Sequence, residues 1–200
     1  MLTIGLTGQS GAGKGEFSRV FSQYNGVFCL DTDVTAREVV EKGSPCLSEL
    51  CGYFGNEILD SDGGLDRKKL AQTAFSDEEK HKKLNEITHF YIMKEIEKWL
   101  SETEKNGAKV AIIDAPLLFE SGADKFCDIT LGIIAPCGTR LKRIIKRDGI
   151  DKKAAKIRLN AQPKDSFFKE RCTYTIANNG NMNSLIKKAK LFIEGILANL

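Results

Sequence analysis

The segment of the chain that decides its fold reads Gly8-Gln9-Ser10-Gly11-Ala12-Gly13-Lys14-Gly15. It matches every place except the last of the pattern G-x-x-x-x-G-K-[ST], in which successive backbone N–H groups surround the phosphates of a nucleotide. A short apolar stretch at 2–7 precedes this phosphate loop, and apolar residues at helical spacing follow it. Strand, loop and helix together predict a nucleotide site in which Lys14 reaches the terminal phosphates beside a helix N-terminus.

The last place of the pattern is the one that this chain does not fill. A serine or threonine normally follows the lysine and ligates Mg²⁺, whereas this chain has Gly15 and then Glu16. We therefore expect the metal to be held by phosphates, by water and by carboxylates from Asp114, Asp31 or Glu16. The alternative is a glycine-rich connection that binds nothing, and Lys14 argues against it.

Composition limits the class of protein. The chain has 200 residues, of which 42% are hydrophobic, enough for one domain with insertions. Its net charge of +3 comes from 30 basic and 27 acidic side chains, a balance that favours a small polyanionic partner over nucleic acid or a membrane surface. The sequence contains no apolar run long enough to span a membrane. We expect a cytoplasmic protein, and the oligomeric state stays open.

Short apolar runs alternating with helical stretches predict the fold. Beyond the first strand they lie at 27–30, 110–113, 129–134 and 174–176. This alternation predicts an α/β fold of three layers, in which a five-stranded parallel sheet lies between helices and ligands bind at the carboxyl ends of the strands. That edge carries the phosphate loop, residues 31–33 and residues 114–120.

Two segments do not belong to the simple alternation. Residues 44–106 are helical and too long for a crossover, so they predict a subdomain that receives a second substrate; a plain cover for the sheet is the alternative. Arg140, Arg143 and Arg147 share one helical face within a basic segment at about 138–172. A solvated surface is the usual meaning of such a charge run, but beside a phosphate loop it favours a mobile lid over the nucleotide.

The cysteines give no support for a zinc site, and the acidic turn gives none for a calcium site. The six cysteines form no C-x-x-C pair, so reduced and mostly buried thiols are expected. The segment at 60–63 begins like a calcium loop, but its twelfth position is Ala71 where a glutamate is needed, so it predicts a turn.

Three carboxylates stand at the predicted binding edge. Asp31 and Asp33 directly follow the second strand, so one of them can serve as a base that orients an acceptor hydroxyl and takes its proton. Capping of the next helix is the alternative, and it suits Asp31 better than Asp33. Asp114 ends the third strand and predicts an outer-sphere magnesium contact, or a turn before Pro116.

A set of short segments forms a pattern that runs along almost the whole chain. These segments are Ile4-Gly5-Leu6-Thr7-Gly8, Asp31-Thr32-Asp33 with Ala36-Arg37, Gly64-Leu65-Asp66-Arg67, Leu84-Asn85-Glu86-Ile87-Thr88-His89, Pro116-Leu117-Leu118-Phe119-Glu120, Arg143 to Arg147, Gln162 and Asn178-Asn179-Gly180. Together they resemble one family, the dephospho-coenzyme A kinases. The resemblance implies a P-loop kinase that uses ATP and Mg²⁺ to phosphorylate the ribose 3′-hydroxyl of dephospho-coenzyme A.

The resemblance also implies roles for individual residues. Asp33 becomes the base, and Lys14, Arg143 and Arg147 act on the phosphates. ATP is bound by Gly8, Gly11, Ala12, Gly13, Lys14, Gly15, Glu16 and Asn178, the last near the adenine. The coenzyme A precursor is received by Asp31, Arg37, His89 and Leu117.

Four positions depart from the family pattern. Gly15 and Glu16 stand where serine and threonine are usual, Phe90 replaces a proline, and Phe168 stands where an arginine is common. Two alternatives therefore stay open beside the main interpretation. One is a nucleoside monophosphate kinase, which residues 31–33 and 84–89 disfavour. The other is a nucleotide-binding or coenzyme A-binding protein with impaired turnover.

Overall fold

The computed structural model describes all 200 residues, Met1–Leu200. Its centre is a five-stranded parallel sheet with strand order β2-β3-β1-β4-β5. The strands are β1 (Leu2–Gly8), β2 (Val27–Asp31), β3 (Val110–Asp114), β4 (Ile129–Ile134) and β5 (Tyr174–Ala177). The five predicted strands and the α/β fold class are confirmed, with each strand end within one residue of the prediction.

The register of the central strands sets the position of the phosphate loop. In β1, Leu6 pairs with Asp114 of β3, and Gly8 pairs with Ile133 of β4. The side chains of these inner strands are almost all buried, because a parallel sheet is covered on both faces. The end of β1, the end of β3 and the phosphate loop consequently lie at one edge.

Helices connect the strands, and most begin at a residue suited to that place. The side chains of Asp31, Ser44, Asp66, Asp151 and Asn181 each accept a hydrogen bond from a backbone N–H of the first turn. The helices are α1 (Lys14–Phe21), α2 (Thr32–Glu38), α3 (Pro45–Phe54), α4 (Arg67–Ala74), α5 (Glu78–Lys105), α6 (Cys137–Asp148), α7 (Lys152–Asn160), α8 (Asp165–Arg171) and α9 (Met182–Leu197).

The chain forms two compact units. The sheet unit consists of Met1–Leu30 and Leu100–Leu200, and the helical unit of Asp31–Trp99. In the sheet unit, Phe17 and Phe21 of α1 pack together edge to face with ring centroids 5.6 Å apart. Phe192 of α9 stacks on Phe21 at 6.0 Å. These rings join the buried side chains of β1 in one core.

The helical unit has an apolar core of its own. It contains most of the predicted insertion at 44–106 and gathers residues from α3, α4 and α5, among them Leu50, Leu70 and Ile87. Helix α5 passes through Phe90 without interruption, since phenylalanine keeps the backbone N–H that a proline would remove. The predicted turn is confirmed: Asp60 Oδ1 accepts hydrogen bonds from the N–H groups of Asp62 and Gly64.

Two further features concern the whole chain. All six cysteines are free thiols, and burial raises the pKa of Cys29 and of Cys127 to about 12. None of the helices combines the length and the apolar character that crossing a lipid bilayer requires.

The rings between α1 and α9 predict a stability effect. Replacing the fully buried Phe21 with alanine leaves a cavity between these helices, so Phe21→Ala should lower the free energy of unfolding by about 3–5 kcal/mol. Urea unfolding followed by circular dichroism measures the change. Phe28→Ala, which truncates a ring that is 41% exposed, serves as the control and should cost clearly less. Equal losses would contradict the packing assigned to Phe21.

Candidate phosphate-binding site

The phosphate loop turns sharply between β1 and α1, and its glycines are required by this geometry. Gly11 has φ 77° and Gly13 has φ 105°, a left-handed region that residues with a Cβ rarely adopt. A Cβ on Gly13 would lie 2.8 Å from Asn178 Nδ2 and 2.8 Å from a methyl group of Leu185. The backbone is therefore packed too tightly at Gly13 to admit a side chain.

Side chains from outside the loop hold its carbonyl groups. Asn178, which is only 1% exposed, donates from Nδ2 to the Ala12 oxygen at 2.7 Å. Arg143 Nη1 donates to the oxygen of Gly11 at 3.1 Å and to that of Ala12 at 3.4 Å. Asn178 thus supports the loop backbone from a buried position, a role that its expected place near the adenine did not suggest.

Lys14 is the first residue of α1, and it contacts Asp114 at the end of β3. Its Nζ donates to Asp114 Oδ1, while Ser18 Oγ donates to the other oxygen, Oδ2. The Asp114 side chain is 7% exposed, so this carboxylate lies in a shielded environment where charge-assisted hydrogen bonds are strong. Lys14 and Asp114 were predicted from the sequence, whereas Ser18 was not.

The two residues that follow Lys14 are Gly15 and Glu16. Gly15 is exposed, lies inside α1 without a positive φ, and a Cβ added to it would have nothing within 4 Å. Glu16 is paired with Arg19 of the same helix, with its Oε2 2.7 Å from Arg19 Nη2. Position 15 consequently offers no hydroxyl, and the carboxylate at position 16 is already paired with the guanidinium of Arg19.

The basic face of α6 is directed at the phosphate loop. Besides the Arg143 contacts, Arg147 Nη2 donates to Ser10 Oγ at 3.2 Å. Arg140 is buried, and this burial lowers the pKa of its guanidinium. The Arg140 side chain donates to the Ala135 oxygen and to Gln162 Oε1. The three arginines therefore have specific hydrogen-bond partners, two of them in the phosphate loop.

Two glutamines, which sequence reasoning left without a role, complete the contacts between the loop and the segment after α7. Gln162 Oε1 accepts from Ser10 N at 2.9 Å. Gln9 is 3% exposed, and its Nε2 donates to Pro163 O and to Asp165 Oδ1. Only the three-dimensional structure brings these residues together, because Gln9 and Asp165 lie at opposite ends of the chain.

Arg147 also belongs to a surface ion cluster. Asp148 accepts hydrogen bonds from Arg147 Nε at 2.6 Å and Nη2 at 3.1 Å, and it contacts Arg158 as well. The hydrogen bond with Asp148 raises the pKa of Arg147, and the same bond lowers the pKa of Asp148. Both groups therefore keep their charges near neutral pH.

The residues expected at the acceptor substrate lie mainly in the helical unit. Asp31 caps α2 by accepting from Asp33 N at 2.9 Å, as the capping alternative predicted. Asp33 is exposed in the first turn of α2, and Arg37 is exposed in its last turn. His89 is half-buried on α5. Leu117 belongs to the sheet unit and is 55% exposed in the turn after β3.

Phe168 occupies a core position of α8. It is 3% exposed, and its ring packs edge to face on Phe167 at 5.3 Å. Arg171, one turn later, places its guanidinium over the rings of Phe167 and Phe119 at 4.8 and 5.8 Å. The side chain at position 168 therefore contributes apolar packing to the sheet unit.

The parallel sheet and the glycine-rich loop that ends at Lys14 define a P-loop kinase. Among solved structures, a Thermus thermophilus protein superimposes with a TM-score of 0.81 at 29% identity, covering 100% of this chain and 97% of that one. The dephospho-CoA kinase from Campylobacter jejuni superimposes with a TM-score of 0.75 at 24% sequence identity. A shikimate kinase from Bacteroides thetaiotaomicron superimposes with a TM-score of 0.58 at 14% identity. The last two comparisons concern the fold alone.

The sequence comparisons are more specific. The model of the dephospho-CoA kinase family matches residues 2–184. A dephospho-CoA kinase from Corynebacterium glutamicum is 39% identical over 196 residues, covering 98% of this chain and all of the relative. One from Fusobacterium nucleatum is also 39% identical over 196 residues, covering 98% and 99%. The chain belongs to the dephospho-CoA kinase family, which confirms the resemblance; nothing in these comparisons favours a nucleoside monophosphate kinase.

The close packing around Gly13 predicts the effect of a single methyl group. Gly13→Ala should weaken ATP binding by on the order of tenfold or more, because the strained backbone and the Cβ contacts displace the loop. Isothermal titration calorimetry with ATP measures this loss. Gly15→Ala is the matched control for folding, since its Cβ meets open space; this variant should unfold at the parental temperature or higher. Parental ATP affinity in Gly13→Ala would contradict the assignment.

Proposed function

We propose that this chain transfers the γ-phosphate of ATP to the ribose 3′-hydroxyl of dephospho-coenzyme A. The observation that carries the proposal is the phosphate loop, whose left-handed glycines and terminal Lys14 occur in a chain that matches the dephospho-CoA kinase family over residues 2–184. Phosphoryl transfer requires that the phosphates be held in place and that their charge be stabilised, and a loop of this kind does both.

ATP binds at the phosphate loop in this proposal. Loop N–H groups and the N-terminus of α1 contact the phosphates, and Lys14 neutralises the terminal ones. The residues assigned to ATP are Gly8, Gly11, Ala12, Gly13, Lys14, Gly15, Glu16 and Asn178. The assignment is supported by the left-handed backbone at Gly11 and Gly13, which shapes the loop where a side chain is disfavoured. Asn178 acts through the Ala12 carbonyl that it holds.

The side chain best suited to magnesium is Asp114. Mg²⁺ in such sites is bound by one or two carboxylates together with substrate phosphates and water, and Asp114 supplies a shielded carboxylate beside Lys14. We assign Asp114 an outer-sphere contact, through a water. When bound, the metal would supply positive charge that offsets the negative charge of the nucleotide phosphates.

Arg143 and Arg147 are the cations that act on the transferred phosphate, within a lid segment at about 138–172. Both side chains contact the phosphate loop, which supports this role. Asp148 holds the Arg147 guanidinium through two hydrogen bonds, so Arg147 is oriented before the phosphate reaches it.

Asp33 is the proposed base. Its carboxylate is exposed, whereas Asp31 already uses one oxygen to cap α2, so Asp33 is the better placed of the two to receive the proton of the 3′-hydroxyl. Asp31, Arg37, His89 and Leu117 are assigned to binding of dephospho-coenzyme A, with Arg37 as a partner for its phosphates.

The direct test is the reaction itself. The purified protein, incubated with Mg-ATP and dephospho-coenzyme A, should form coenzyme A and ADP, as followed by liquid chromatography with mass detection. AMP and CMP, tested as rival acceptors, should give little product. ATP binding without turnover of any of these acceptors would overturn the proposal and leave a nucleotide-binding protein.

The base assignment gives a second test. Asp33→Asn should keep ATP affinity but lower kcat by on the order of 10²-fold or more, the usual contribution of a general base. Glu38→Gln, which neutralises another exposed carboxylate of α2, is the control and should keep parental turnover. Near-parental kcat in Asp33→Asn would remove Asp33 from this role.

A third test concerns Arg147 of the proposed lid. Arg147→Ala should lower kcat by on the order of 10²-fold, because an arginine stabilises the charge of the transferred phosphate. Its thermal stability should change little, since exposed ion pairs contribute little to folding. Lys98→Ala, which removes a lysine whose Nζ lies 3.7 Å from Glu95, is the matched control. If both variants turn over alike at saturating ATP, Arg147 has only a surface role.

A further inference from the structure

The Asp114 carboxylate receives hydrogen bonds from two residues of the same helix. Lys14 and Ser18 stand four positions apart in α1, so their side chains project from one face. Lys14 Nζ donates to Oδ1 and Ser18 Oγ to Oδ2. Because each oxygen accepts from a different donor, the hydrogen bonds fix the plane of the carboxylate and also stabilise its negative charge.

Ser18 lies one helical turn after position 15, where the phosphate loop lacks a hydroxyl. Residues 15 and 18 are separated by one helical turn, and residues so spaced are neighbours on the helix surface. Gly15 carries no side chain, and a Cβ added there would meet nothing within 4 Å. The hydroxyl that α1 brings to Asp114 is therefore that of Ser18.

We propose that Ser18 is a positioning residue that orients the Asp114 carboxylate through its hydrogen bond to Oδ2. This inference rests on the proposed function, because it assigns Asp114 to the magnesium of the bound nucleotide. Ser18 touches neither nucleotide nor metal in the proposal; it acts through the carboxylate. Since the Asp114 side chain is 7% exposed, few waters can replace the hydrogen bond that Ser18 donates.

The effect should separate metal-dependent from metal-independent binding. The loop N–H groups and Lys14 bind the phosphates whether or not Mg²⁺ is present, whereas the carboxylate matters when the metal is bound. Loss of the Ser18 hydroxyl should therefore leave nucleotide affinity in EDTA within about twofold of parental. The same loss should make the magnesium-dependent increase in nucleotide affinity about tenfold smaller than in the parental protein. Tenfold is the scale of one hydrogen bond to a charged group.

The experiment uses the full chain and calorimetric titration with ADP, in EDTA and at saturating Mg²⁺. The variants are Ser18→Ala, Ser18→Cys, which keeps the volume with a weak donor, and Ser18→Thr, which keeps the hydroxyl. We expect Ser18→Ala and Ser18→Cys to lose most of the magnesium-dependent gain and Ser18→Thr to retain it.

Ser22→Ala is the matched control. Ser22 directly follows α1, and its hydroxyl donates to the backbone oxygen of Arg19. The variant therefore removes an equivalent hydroxyl that does not contact Asp114. The Ser22→Ala variant should bind as the parental protein does in both conditions.

The outcomes distinguish this inference from the proposed function. If Ser18→Cys keeps the parental gain from magnesium, or if every Ser18 variant loses affinity equally in EDTA, Ser18 has no positioning role. If the parental protein binds ADP with a magnesium-dependent gain yet forms no coenzyme A, the proposed function fails and the Ser18 comparison still decides the inference. A parental protein that binds no nucleotide overturns both.

Discussion

The parallel pairing of β1 with β3 on one side and β4 on the other is the constraint on which the site depends. It places Leu6 opposite Asp114 and Gly8 opposite Ile133, so the phosphate loop begins where β3 ends. Asp114 can then meet Lys14 and Ser18, which α1 brings back toward the same edge. A shift of one residue in this pairing would turn Asp114 to the other face of the sheet and separate the carboxylate from the lysine.

The loop depends on donors that hold its carbonyl groups. Asn178 and Arg143 both bind the Ala12 oxygen, and in a trans peptide the C=O and the following N–H point in opposite directions. The N–H of Gly13 is thereby directed away from these two donors, as a site for an anion requires. Arg143 and Asn178 come from α6 and from the end of β5, so distant parts of the sheet unit cooperate to orient one peptide group.

The sequence alone predicted the strands well because each is a short apolar run bounded by helical pattern, and a parallel sheet buries such runs on both faces. The phosphate loop was equally clear, since its chemistry lies in consecutive residues. Gln9 and Ser18 were missed because their partners, Asp165 and Asp114, are distant in the chain and no local pattern pairs them. The helical spacing between Lys14 and Ser18 was the one signal that pointed to Ser18. The burial of Phe168 was likewise not predictable from the sequence, because position 168 was identified only as a departure from the family pattern.

The division of the sheet unit into two stretches of chain, Met1–Leu30 and Leu100–Leu200, has a consequence for how the protein folds during synthesis. Strand β1 leaves the ribosome before β3, so Leu2 has to wait for Val110 before it can pair. Asp31–Trp99 carries its own apolar core and is complete by then, so it can fold while β1 still exposes unpaired edges. Its compaction shortens the effective loop that β1 and β3 must close, and so reduces an entropy cost of about 4 kcal/mol for a flexible loop on the order of 100 residues. Folding of the inserted helices thus prepares the closure of the sheet into which they are inserted.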